Sequence, residues 1–494
     1  MSKFNKKTMP VKVIPLPLLK PLTLKDAGIY CFSFVLATSA LAQEEDPLVL
    51  DEDLSFDGDF AFDDDLFGGD FAFEESDNES SWLDNFTVRL SQQLYGQVNN
   101  HSVEPFPGFR FPREAELENN RLGINIRYQN PFAPGWLLQA SAQTRVYLKN
   151  DYQYEANGDH LEQETRINEL FVQRSFGKHS LKLGRQTIVW GETLGNSVLD
   201  IINTSEFRDF SIIDIEDARR NQFMLAWDYF GEESSVSSFV NLFPEFNPAP
   251  VRGSPFFFEP EFNLTDYRRE GAFLVEVGSQ WRKSFEGSDI AIMGAYLFEN
   301  QLRFEDPING IGNALAEKND FLLLGFSANR AIGKLLLNFD FAYSHGVTAD
   351  NFNLPGTNNA GQAVNLKKDQ LGTSFGFEYA ISNDQNVTLG IQAQRLLDEE
   401  EGLQPGQTLV NDGVFGSWLV RYSNTMRNGD LVLSATFQGD LNAESLLALV
   451  GLDFTLNDNW AISAQLISIS AAEGSPLLFF NEDLRIGSTV SYSF

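Results

Sequence analysis

The chain carries one cysteine, Cys31, and four histidines in 494 residues. Cys31 falls in an N-terminal stretch expected to be removed, which would leave no thiol, disulfide or cysteine metal site. His101, His160, His179 and His345 are far apart, and none sits in a G-x-S-x-G or H-E-x-x-H pattern. Ser344-His345 is the one adjacent serine–histidine pair, and its neighbours do not complete a site. The reading is therefore not an enzyme, with no cofactor and no metal. Positive charge is also scarce. There are 36 Lys and Arg against 69 Asp and Glu, a formal net charge of -33. Phosphate binding needs clustered basic residues, so nucleic acid is excluded as a partner. Finally, the sequence lacks the runs of roughly 20 apolar residues that membrane helices require. A membrane β-barrel escapes that requirement, because only every second residue of a strand faces lipid.

What is present begins with an export signal. Six lysines between Lys3 and Lys25 precede an apolar stretch from Ala27 to about Leu41, and Ala40-Leu41-Ala42 has the small-x-small form of a cleavage site. Residues 1–42 are thus expected to be a signal peptide for the general secretory pathway. Residues 43–80 are rich in Asp, Glu and Phe and contain no Lys or Arg. Asp59-Phe60-Ala61-Phe62 recurs as Asp70-Phe71-Ala72-Phe73. Mutual repulsion predicts disorder for this segment, with the phenylalanines free to dock a periplasmic partner or plug a barrel.

From Phe86 onward apolar and polar residues alternate. Leu122, Ile124, Ile126 and Tyr128 make one such row; Leu335, Leu337, Phe339, Phe341 and Tyr343 another; Leu484, Ile486, Val490, Tyr492 and Phe494 the last. Successive side chains of a strand point to opposite faces, so each segment has one greasy face and one polar face. The links between segments alternate too. Short ones such as 177–179, 231–233 and 332–334 take turns with long ones such as 99–120, 188–220 and 244–270. A soluble sandwich has no reason to sort its loops by side, whereas an outer-membrane barrel has short periplasmic turns and long outer loops. The expectation for residues 81–494 is an all-β, antiparallel, up-and-down transmembrane barrel of about 18 strands, or 16 if two segments belong to loops. Aromatic residues at strand ends suit the two membrane interfaces. The closing Tyr492-Ser493-Phe494 has the form of a signal read by the barrel-assembly machinery. Outer-membrane lipid and lipopolysaccharide are the expected surroundings, in the outer membrane of a Gram-negative-type cell.

Parity then assigns the lumen. Arg89, Arg127, Gln143, Arg145, Asp228, Glu276, Gln280, Asp340, Glu378, Gln392, Gln394, Arg421, Gln438 and Arg485 are expected to point inward. The densest stretch of polar and aromatic residues is Gly184-Arg185-Gln186-Thr187-Ile188-Val189-Trp190-Gly191-Glu192, leading to Asp200, Asn203, Arg208 and Asp209. A long loop so rich in Trp, Arg, Glu and Asp is costly to leave in solvent and can fold into a barrel. Residues 184–220 are accordingly expected to constrict the lumen. Arg185 and Glu192 would both lie inside, electrostatically coupled, with Trp190 between them.

Gly184-Arg185-Gln186-x-x-x-Trp190-Gly191-Glu192, followed by Leu199-Asp200-Ile201-Ile202-Asn203, resembles a motif of a large family of uncharacterised proteobacterial outer-membrane barrels, a domain of unknown function. The family often has Asn-Pro where this chain has Asn203-Thr204. The resemblance implies a barrel without assigned catalysis, often encoded near RND-type exporters. Together these readings point to a channel or transport protein for a small or amphipathic solute. The alternative is a structural or interaction barrel without an open pore, working with a periplasmic partner or an RND-type exporter.

Overall fold

The computed structural model describes residues 85–106, 109–151, 163–193, 197–206, 208, 219–248, 274–301, 303–305, 315–349, 351–353, 366–397, 407–409, 413–442, 444–472 and 475–494. The expected signal peptide and acidic segment lie outside them. Alternating segments become the 18 strands of one antiparallel sheet closed on itself. In chain order these are β1 Phe86–Gln97, β2 Leu117–Ala133, β3 Trp136–Tyr147, β4 Gln163–Phe176, β5 His179–Gln186 and β6 Gln222–Phe230. There follow β7 Ser234–Asn241, β8 Glu276–Phe285, β9 Ser288–Phe298, β10 Asp320–Ile332, β11 Leu335–Ala349 and β12 Leu366–Ser382. The last are β13 Gln385–Leu396, β14 Val414–Met426, β15 Leu431–Asp440, β16 Ser445–Thr455, β17 Trp460–Ala471 and β18 Leu484–Ser493. Each strand pairs with its sequence neighbours, and β1 closes on β18 from Arg89↔Ser493 to Gln97↔Arg485. Closure removes the open edges that would otherwise leave backbone groups unpaired in a membrane.

Alternation has its predicted consequence. Leu122, Ile124 and Ile126 of β2, Leu322 and Leu324 of β10, and Phe375, Phe377 and Tyr379 of β12 stand exposed on the outer wall. Their polar neighbours turn inward: Arg121 and Asn119, Ser327 and Asn329, Ser374. A continuous apolar exterior around a polar interior suits lipid, not water.

Strand lengths vary around the wall. β2 and β12 each have 17 residues, whereas β5 and β7 have 8 each. β4 pairs with β5 only up to Leu170↔Arg185, so its first residues meet β3 alone. The wall is therefore lowest at β5 to β7, next to the longest loop.

Candidate functional site: an inward-folded loop

The described part of the link between β5 and β6 does not stay outside. Ile188, Trp190, Val198, Leu199 and Ile202 are buried against inward residues of the wall, among them Met224 of β6, Phe239 of β7, Met293 of β9 and Leu323 of β10. The outward neighbour of Met293, Ile292, is exposed on the other face. The segment thus lies inside the barrel, and its apolar side chains fill space that parity alone would assign to polar groups.

Glycines decide the docking geometry. Trp190 packs edge-on to Phe239, ring centroids 5.7 Å apart, with its indole over Gly278 of β8. A Cβ on Gly278 would come within 2.8 Å of the Trp190 ring and 2.5 Å of Phe239. No larger residue leaves room for the indole. Gly191 has φ +101 and would clash with Ser197 if it carried a side chain. Only glycine adopts this turn without strain.

Polar contacts hold the same segment. Glu192 is 4% exposed. It pairs with Arg282 of β8 at 2.8 Å and accepts from Asn329 of β10 at 3.0 Å. Burial pushes its carboxyl above the ordinary value, against the opposing pull of Arg282. The backbone N–H groups of Glu192 and Thr193 both donate to Asp340 of β11, at 2.9 Å each. Asn203 acts like a strand partner. Its side chain accepts from the Ile188 N–H at 3.1 Å and donates to the Ile188 carbonyl at 2.8 Å.

Further along, Glu206 is fully buried and bonded by Arg208 at 2.6 and 2.5 Å and by Arg220 at 3.0 Å. Burial favours the neutral acid, but the arginines outweigh it and hold the carboxyl at about 2. Arg208 also reaches Glu164 of β4 at 2.9 Å, and Asp200 pairs with Arg219 at 2.8 Å. The loop is therefore pinned to β8, β10 and β11 on one side and to β4 on the other.

Arg185 does not join this constellation, contrary to the sequence expectation. It lies in β5, on the same parity as Leu181 and the exposed Leu183, so it stands on the outer wall. Its guanidinium grips Glu245 at 2.5 and 2.9 Å and donates to the Ile167 carbonyl at 2.9 Å. Gln186, its neighbour, does face inward, donating to the Met224 carbonyl at 3.0 Å. Asp209 lies outside the described residues.

The expected lumen residues divide by role. Asp340 and Glu276 are buried anchors, Glu276 accepting from Asn241 at 2.9 Å and from the Phe298 N–H at 2.9 Å. Glu378 accepts from Asn338 at 2.7 Å. Arg127 is the most open of them, 54% exposed with Glu169 at 3.9 Å. Arg145 is buried beside the Glu206 network, and Arg89 and Arg421 are half-buried on the wall. Arg485 belongs to a second inward fold, which the sequence reading missed. There Leu477, Phe479 and Phe480 pack on Leu447, Leu449, Ile467 and Ile469. Asp483 accepts from Arg113 at 2.7 Å and Arg485 at 2.8 Å. A bulge opposite Tyr95 and Gly96 interrupts the β1–β2 register at Glu118, whose carboxylate joins Arg113 and Arg485. Arg282 was also missed, although it shares parity with Glu276 and Gln280.

Ser344 and His345 are adjacent in β11 and consequently face opposite sides. Ser344 is buried inside, while His345 is exposed outside and bonded to Asp369 at 2.7 Å. They cannot meet at one substrate.

Residues 95–264, which include the Gly184–Glu192 stretch, match the family described as DUF1302, a protein of unknown function. No curated protein matches the chain. Among solved structures, OccAB1 of Acinetobacter baumannii is similar at 9% identity and TM-score 0.50, over 85% of this chain and 99% of that one. OccAB3 of the same organism is similar at 10% identity and TM-score 0.47, over 83% and 98%. Pseudomonas aeruginosa OpdK, solved with vanillate, follows at 11% identity and TM-score 0.46, over 84% and 100%. The likeness to OccAB1 agrees with a closed outer-membrane-type barrel and speaks of the fold alone.

Proposed function

We propose that the protein is an outer-membrane channel for small or amphipathic solutes, in which the segment from Ile188 to Arg208 narrows the passage. One observation carries the reading. Inside a closed 18-stranded wall, a long link folds inward and is fastened by Trp190 over Gly278, Glu192 to Arg282 and Asp340 to two backbone amides. A structural barrel needs no such insert, whereas a selective passage needs its bore narrowed and lined. The short turns then face the periplasm and the long loops the exterior. Planar-bilayer recording of the purified full chain tests this. Stepwise conductance supports it; a barrel that inserts, stays heat-modifiable and never conducts sinks it.

The rival reading is a closed structural barrel that works with a periplasmic partner. The second inward fold around Leu477 and Phe480 favours it, because two inserts fill more of the bore than one. The same recording separates the two.

A further inference from the structure

The outer wall has an irregularity where β5 ends. Leu170↔Arg185 is the last β4–β5 pair, and beyond it, among the described residues, no strand meets β4 from Gln163 to Glu169 on that side. The outward residues of β4 remain apolar through Leu170 and Ile167 and turn polar only at Thr165 and Gln163. On the β5 side, the stretch of β4 that no described strand meets therefore begins within the apolar belt, where an unpaired carbonyl is costly. Arg185 covers one such group by donating to the Ile167 carbonyl.

Around Arg185 the outer surface is greasy. Leu170 and Phe223 are its cross-strand partners on β4 and β6, and Leu183 lies two residues below on its own strand. All three are exposed. An arginine flanked by Leu170 and Phe223, with Leu183 below it, has the chemistry of a headgroup site beside an acyl-chain site. Its own partner shows which headgroup fits. Glu245, from the link after β7, offers a bidentate carboxylate, the geometry a planar guanidinium selects. Directly inside this part of the wall, Arg166, Arg208 and Arg220 gather round Glu206.

We infer that the top of β5 is a docking site for a single-chain amphiphile with a carboxylate headgroup. The headgroup replaces Glu245 on Arg185, and the chain lies along Leu170, Leu183 and Phe223. The site stands beside the part of β4 that no described strand meets on the β5 side, so a docked amphiphile is placed at the lowest part of the wall, next to the basic cluster inside. Naming such a molecule as the solute class rests on the channel reading; the docking site itself does not.

The test uses the full chain in phosphatidylcholine nanodiscs, photolabelled with dodecanoate bearing a terminal diazirine, with matched dodecanol as the neutral probe. Label from dodecanoate is expected to concentrate on peptides holding Leu170, Leu183 and Phe223. It should fall roughly tenfold in Arg185→Gln, which removes a charge-assisted bidentate contact, and rise in Glu245→Gln, which releases the guanidinium. Dodecanol should not concentrate there. Even labelling round the belt, equal enrichment with dodecanol, or no response to Glu245→Gln overturns the proposal. If Arg185→Gln fails to assemble, Glu245→Gln and the neutral probe still decide. Conductance with even labelling sinks only the docking site, and focused labelling without conductance sinks only the channel.

Discussion

Replacing Trp190 by Ala attacks the inward loop at its main apolar contact. The indole is 2% exposed, between Phe239 and Gly278. A buried tryptophan hides roughly 150–250 Å², which at about 25 cal/mol per Å² is worth about 4–6 kcal/mol. Truncations of such residues cost about 3–5 kcal/mol, because the cavity relaxes only in part. Even about 3 kcal/mol changes the ratio of docked to undocked loop by roughly 150-fold, since about 1.4 kcal/mol is a factor of ten. The barrel wall does not depend on this side chain, so heat-modifiability should be unchanged. Amide exchange across residues 187–206 should accelerate strongly, and single-channel records should become noisier with a larger mean open level. Trp227→Ala is the control, because that indole is exposed on the outer face of β6. If Trp190→Ala leaves exchange and conductance like wild type while Trp227→Ala does the same, the loop is not held by its indole and the docking argument fails.

Other outcomes follow from the same contacts. Gly278→Val should mimic Trp190→Ala, because a side chain there occupies the indole's place; equal exchange in the variant and wild type would contradict this. Arg185 and Glu192 are pinned by different partners, Glu245 and Arg282, so their alanine substitutions should add. Non-additivity beyond about 0.5 kcal/mol should appear instead for Glu192 with Arg282, measured by exchange in double-mutant cycles. Acid should release the loop from β4. Glu206 is held at about 2, below the ordinary 4.5, so its contribution is complete above 4.5 and lost as pH falls toward 2. Exchange at Thr204 and Ser205 read after pulses between those values should rise with acid, and a flat profile would refute the assignment. Deleting Phe494 removes a seam bond, its N–H to the Val88 carbonyl at 2.9 Å, and the ring packed on Tyr492 at 4.7 Å. Less heat-modifiable barrel in the membrane is expected, and wild-type levels would argue against the role of the terminal aromatic strand.

Much of the barrel was legible without coordinates. Alternation has a period of two, and each side chain's face follows from its own position in the strand. Long and short links are likewise visible as intervals between alternating rows. Hence β2, β11 and β18 fall where the rows of Leu122, Leu335 and Leu484 lie. The same rule, applied through Leu181 and Leu183, would have placed Arg185 outside. Treating it as the start of a loop misplaced it, because the sequence does not mark where β5 stops. Partners were another matter. That Glu192 meets Arg282, that Glu206 gathers Arg208 and Arg220, and that Trp190 needs Gly278 are contacts between positions far apart in the chain. No local pattern encodes them, since they depend on how a loop with irregular backbone crosses a closed space. The second inward fold at Leu477 to Asp483 was hidden for the same reason. Local periodicity determined the wall, and the curvature of that wall, which brings β8, β11 and β4 round a single loop, decided the interior.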